Sequence, residues 1–89
     1  MATTRLRETL EELEHELEQA EALDPGSRER LDHVLGEVRE LLGEGVEPRE
    51  EHRSLLDRLR EATREFEEEH PALAATVGRV ATALSNLGI

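Results

Sequence analysis

From position 52 to position 87 the chain repeats one pattern without a slip, and a proline stands inside it. His52, Leu56, Leu59, Thr63, Phe66, His70, Leu73, Val77, Val80, Leu84 and Leu87 alternate at spacings of four and three residues. That alternation is the seam of a helix that packs along one face. A proline inside a helix removes a hydrogen bond and costs about 3 kcal/mol, so Pro71 argues for a break at His70. Two features argue for continuity. The phase does not change across Pro71, although an intervening loop would leave it free to. A break would also leave Glu67, Glu68 and Glu69 at a helix C-terminus, where the dipole disfavours carboxylates. The reading adopted is one long helix over about 48–87, kinked or broken near Pro71, with the kink preferred.

Upstream, two shorter helices are expected. Leu6, Leu10, Leu13, Leu17 and Ala20 form a narrow stripe over about 4–22, with Thr3 or Thr4 as the hydroxyl cap. Asp24-Pro25-Gly26-Ser27 then breaks the chain. The second helix, about 28–42, starts from Ser27 as N-cap or from Asp24 with Pro25 in the first helical position. Leu31, Val34, Leu35, Val38, Leu41 and Leu42 give it a wider stripe, and Gly43 is expected to stop it in a left-handed conformation. Gly88 should do the same for the last helix. Short loops favour antiparallel neighbours, so the fold class is all-α, a helical hairpin plus a long C-terminal helix in one domain spanning 1–89.

Charge divides along the same line. The chain has 22 acidic residues and 11 arginines, no lysine, and a net charge of −11. Only Arg79 is charged after Pro71. An arginine-only cation set fits GC-rich coding, and the acid excess also fits a salty interior. A continuous helix of some 40 residues would be ~60 Å long at 1.5 Å per residue, about twice the reach of either upstream helix. Part of its seam should then meet a second chain. Phe66, Leu73, Val77, Val80, Leu84 and Leu87 are the expected oligomer or core seam, in a homo-oligomeric bundle or coiled coil. Ala74, Gly78 and Thr82 form a row of small residues that admits a close helix neighbour, or that simply reflects helix propensity.

Composition excludes several functions. With no cysteine there is no disulfide, thiolate nucleophile or Cys-based zinc site. Phe66 is the one aromatic residue, which removes base-stacking platforms, and the acidity repels nucleic acid and anionic lipid. The start of the chain has no apolar signal core, and 71–89 is too interrupted by polar residues to span a bilayer, so a cytoplasmic location is expected. The serines occupy no nucleophile elbow, and Gly43-Glu44-Gly45 has no phosphate-loop lysine. No catalytic, cofactor-binding or metal site is expected, and no enzyme. Glu12 with His15, and Glu67 with His70, match the Glu-x-x-His spacing of di-iron bundles. At this glutamate content about one such match among four histidines arises by chance, and His15 should face water. His33 should lie on the surface between Glu29 and Glu37. His52 and His70 occupy seam positions: His70 should cap the following helix, or else sit between chains and make assembly pH-dependent.

Phe66-Glu67-Glu68-Glu69-His70-Pro71-Ala72-Leu73 and Ala83-Leu84-Ser85-Asn86-Leu87-Gly88-Ile89 resemble the family of domain of unknown function 4404. The likeness is strongest over about 25 residues, and Leu87 departs from the methionine more usual there. The resemblance implies a small bacterial all-α protein and no activity, so no functional residue is carried over. The function expected is interaction or scaffolding by a homo-oligomer, with an unknown protein as a further partner. Its rivals are an acidic decoy for a basic partner surface, a carboxylate/histidine metal-binding bundle, and a C-terminal segment lying on a membrane.

Overall fold

A computed structural model describes residues 2–44 and 53–88, which form four helices: α1 (Ala2–Gln19), α2 (Pro25–Glu44), α3 (Arg53–Phe66) and α4 (Pro71–Asn86). Among the described residues there is no strand. Cross-helix pairs fix the directions. Glu16 meets Thr76 and Glu12 meets Arg79, so α1 and α4 run antiparallel. Glu65 with Arg30, and Glu37 with Arg58, give the same relation for α2 and α3. The result is an up-down-up-down bundle measuring 36 × 23 × 18 Å. α4 packs most closely, against α3 and α1, whereas α1 and α2 scarcely approach each other.

Of the two alternatives at Pro71 the structure shows the break, and the preferred continuous, kinked helix over 48–87 is corrected. α3 ends at Phe66, whose carbonyl takes the last hydrogen bond, from the His70 N–H at 2.8 Å. His70, forced out of the helical region by the proline after it, adopts φ −135° and ψ 65°. Pro71 is then the first residue of α4, where its missing N–H costs nothing. Three carboxylates do follow a helix C-terminus, as the sequence argument disfavoured, but they also precede the N-terminus of α4. The gain that outweighs helix continuity is burial. Seven of the 19 buried apolar residues belong to α4: Leu73, Ala74, Val77, Val80, Ala81, Ala83 and Leu84. At about 25 cal/mol per Å² of apolar surface, folding α4 back over α3 and α1 dwarfs the loss of one helical turn.

The break removes the length argument for a second chain. A ~60 Å rod has no counterpart in a molecule whose longest extent is 36 Å. The seam residues close inside one copy: Val77, Val80 and Leu84 are 0% exposed, Phe66 and Leu73 4%. Leu87 is half-buried at the edge. In α3 the buried leucines are Leu55 and Leu59, while Leu56 is half-buried. The heptad tally selected Leu56 because it extended a single phase through both helices.

Local signals at the turns are partly as expected. α1 stops at Gln19, three residues short of the expected end, and Ala22 turns the chain with φ 62°. A β-carbon in that region costs about 1–2 kcal/mol, so Ala22→Gly should raise the unfolding free energy by up to about 1 kcal/mol after the glycine's larger unfolded-state entropy is deducted. Urea denaturation checks it. Of the two starts weighed for α2, the structure uses Asp24. Its carboxylate accepts the Ser27 N–H at 3.1 Å, and Pro25 is the first helical residue. Gly43 lies within α2 and makes no left-handed stop, whereas Gly88 does, at φ 89°, donating to the Ser85 carbonyl at 3.0 Å. Pro48 and His52, expected in the first turn and seam of the third helix, lie outside the described residues. In the small-residue row Ala74 is buried, Gly78 faces Thr63 of α3 and Thr82 is exposed, so the row partly serves the intrachain α3–α4 contact.

Candidate functional site

With the apolar stripes turned inward, what the fold offers a partner is its outer surface and the grooves between helices. Two polar clasps and a single ion pair bridge those grooves. Between α1 and α4 the buried Thr76 hydroxyl donates to the Glu16 carboxylate at 2.8 Å, and Arg79 donates to Thr76 at 3.1 Å and to Glu12 at 2.9 Å. The hydrogen bond and charge of Glu12 hold the Arg79 guanidinium above its ordinary value. Burying a hydroxyl is tolerable here because carboxylate, guanidinium and the Ala72 carbonyl all satisfy it. Arg39 of α2 pairs with Glu14 of α1, donating through Nε at 2.6 Å, across the loosest side of the bundle.

The second clasp joins α2 to α3 at both ends of a cleft. At one end Glu65 accepts from Arg30 at 2.6 Å and from the buried Ser27 hydroxyl. At the other, Arg58 grips Glu37 with both terminal nitrogens, one at 3.2 Å from Oε1 and the other on Oε2. His33 adds a contact to Glu37 at 3.2 Å. The Arg58 hydrogen bonds hold the Glu37 carboxyl below its ordinary value against the opposing effect of burial, with the charges of Arg58 and His33 adding to the lowering. The unfolded chain therefore binds a proton at Glu37 more tightly than the folded one. The stabilisation is full above the ordinary carboxylate range and is lost as pH falls through the depressed folded value. Glu37→Gln should cost under about 1 kcal/mol at neutral pH, and the difference from wild type should close in strong acid, as followed by urea unfolding.

Between these ends lies a cleft of about 480 Å³, lined among others by Leu31, Val34 and Ala62. Small residues line it on both sides, Gly26 and Ser27 on α2 and Ala62 on α3. Glu29 and Glu61 also line it, both exposed and engaged by no cation among the described residues.

None of the histidine pairings assembles a metal centre. Glu12 is taken by Arg79, while His15 is exposed and lies 3.2 Å from Gln19. Glu67 is exposed, and His70 is half-buried, its ring edge-on to Phe66 at 6.2 Å between centroids. Among the described residues no group of three or more histidines and carboxylates could hold a metal ion. His70 stands at the N-cap of α4, yet its side chain makes no capping bond; its carbonyl accepts the Ala74 N–H instead. Sequence reasoning missed the Thr76–Glu16 and Ser27–Glu65 contacts, which join residues 60 and 38 positions apart. The one available signal was a polar residue facing an apolar stripe, as Thr76 does beside Leu73 and Val77.

Fold and surface together define a small, acidic, all-helical bundle, in which no helix among the described residues is long and apolar enough to cross a membrane. Its sequence matches the family described as Domain of unknown function (DUF4404) over residues 6–89, and the chain belongs to that family. The match thus reaches far beyond the C-terminal third that carries the clearest motif. No curated protein and no solved structure matches the chain. The family description assigns no function.

Proposed function

We propose that this chain is a small, non-catalytic interaction protein that engages a basic surface on another protein. The observation that carries the reading is the division between inside and outside. Phe66 to Leu84 and the upstream stripes close on one another, while Glu8, Glu11, Glu18, Glu29, Asp32, Glu40 and Glu61 stand exposed with no cation engaging them among the described residues. A surface of that sign attracts cationic partners over about a Debye length and loses them as salt rises. The displaced Glu37 carboxyl is satisfied within an ion pair, which suits a structural clasp better than proton transfer. A cytoplasmic location belongs to the same proposal.

Affinity capture from the cells that make the protein, at low and moderate salt, tests it. Basic proteins retained at low salt and released at moderate salt are the expected result; capture of none, or capture indifferent to salt, overturns it. Sedimentation equilibrium addresses self-association separately. The homo-oligomer enters this reading only as an assembly built on a face other than the Phe66–Leu84 seam, since that seam is already covered within one copy.

A further inference from the structure

We propose that the α2/α3 cleft is the docking groove of this protein and that its occupant is a basic amphipathic helix of the partner. The inference rests on the acidic-surface reading above and adds to it a place and a shape.

Three observations converge on the groove. Its lining includes the apolar Leu31, Val34 and Ala62, with Ala62 half-buried and Leu31 and Val34 nearly covered, and its volume of about 480 Å³ lies within the range of working binding sites. Its length is set by residues 26–34 on one wall and 58–65 on the other. Each wall is some two helical turns, or roughly 12 Å, enough for one or two aliphatic anchors of a helix laid along it. Its charge is settled by what is already engaged. Arg30 and Arg58 line the groove but are held by Glu65 and Glu37, which neutralises both. Among the described residues the charges left over are Glu29 and Glu61, two carboxylates on opposite walls.

An occupant must therefore bring aliphatic side chains for the apolar lining and cations for both rims. An anionic or purely apolar ligand meets unmatched carboxylates, and a purely cationic one leaves that lining wet. A helix with leucines at i and i+3 or i+4, flanked by lysine or arginine, satisfies both demands at once. The rest of the acidic surface steers it without fixing its position.

The test uses the full chain, isotopically labelled, and two synthetic helical peptides: an amphipathic Leu/Lys peptide and its analogue with alanine for every leucine. Expected results are amide shift changes concentrated in 26–34 and 58–65, and clearly weaker binding of the alanine analogue. Glu29→Gln/Glu61→Gln should weaken the Leu/Lys peptide roughly three- to tenfold, as two exposed ion pairs allow. Glu8→Gln/Glu11→Gln on α1 should change it less than about twofold. Ala62→Leu, which fills the cleft without altering charge, should weaken it comparably to the cleft double variant. Equal affinity for the two peptides, shift changes spread over α1, or an Ala62→Leu variant that binds as wild type overturns the groove and leaves the acidic-surface reading standing. If neither peptide binds at low salt, both proposals fall.

Discussion

Leu55→Ala is expected to destabilise the protein by about 2–5 kcal/mol, and Leu56→Ala by less than about half as much. The two leucines are neighbours of identical chemistry, so the comparison isolates position. Leu55 is 1% exposed in the core, while Leu56 is half-buried and packs against it from the margin. A bundle of this size has a total stability of about 4–13 kcal/mol, so the Leu55 substitution consumes a large share and leaves a visible unfolded population at room temperature. Paired urea denaturations give both values. The reverse order would rotate α3 by the ~100° that separates adjacent residues on a helix, and would restore the single phase through Leu56, Phe66 and Leu73.

Pro71→Ala has an effect whose sign is the informative quantity. In a continuous kinked helix the proline would be an interior residue, and alanine would stabilise by about 3 kcal/mol. Here Pro71 opens α4 after a real break. Its fixed φ suits that position, and its main thermodynamic action is to restrict the unfolded chain. Alanine should therefore lower stability by about 0.4–1 kcal/mol, with no change in helix content by circular dichroism. A gain of several kcal/mol, accompanied by dimerisation, would show that α3 and α4 join into one rod once the proline is gone.

Most of the helices were legible because periodicity and punctuation agree. Leu6 to Leu17 carries α1, Asp24-Pro25 starts α2, and Gly88 ends α4. The route of the chain at Pro71 was less so. Phase continuity looked like evidence for one helix, yet His70 to Leu73 also keeps phase when the chain reverses, because two antiparallel helices can each present a 4-3 stripe to a shared core. Whether a stripe is covered by its own chain depends on tertiary packing, which no local pattern records. The cleft was illegible for a related reason. Gly26, Ser27 and Ala62 carry no signal singly, and only the packing of α2 on α3 brings them to one cleft. Glu29 and Glu61 were readable as surface acids, but not as the two that line it without a cation.

The dependence of α1 on α4 has a consequence for how the protein is made. Of the four described helices α1 leaves the ribosome before α4, yet α1 lies mainly against α4 and scarcely touches α2. Until α4 has emerged, Leu6, Leu10, Leu13 and Leu17 lack their principal cover. The bundle therefore cannot close until residues 71–86 have emerged, and until then the nascent chain presents the apolar stripe of α1. The glutamates flanking that stripe keep such chains apart by mutual repulsion during the interval. Part of the acidity thus protects the polypeptide before its bundle has closed.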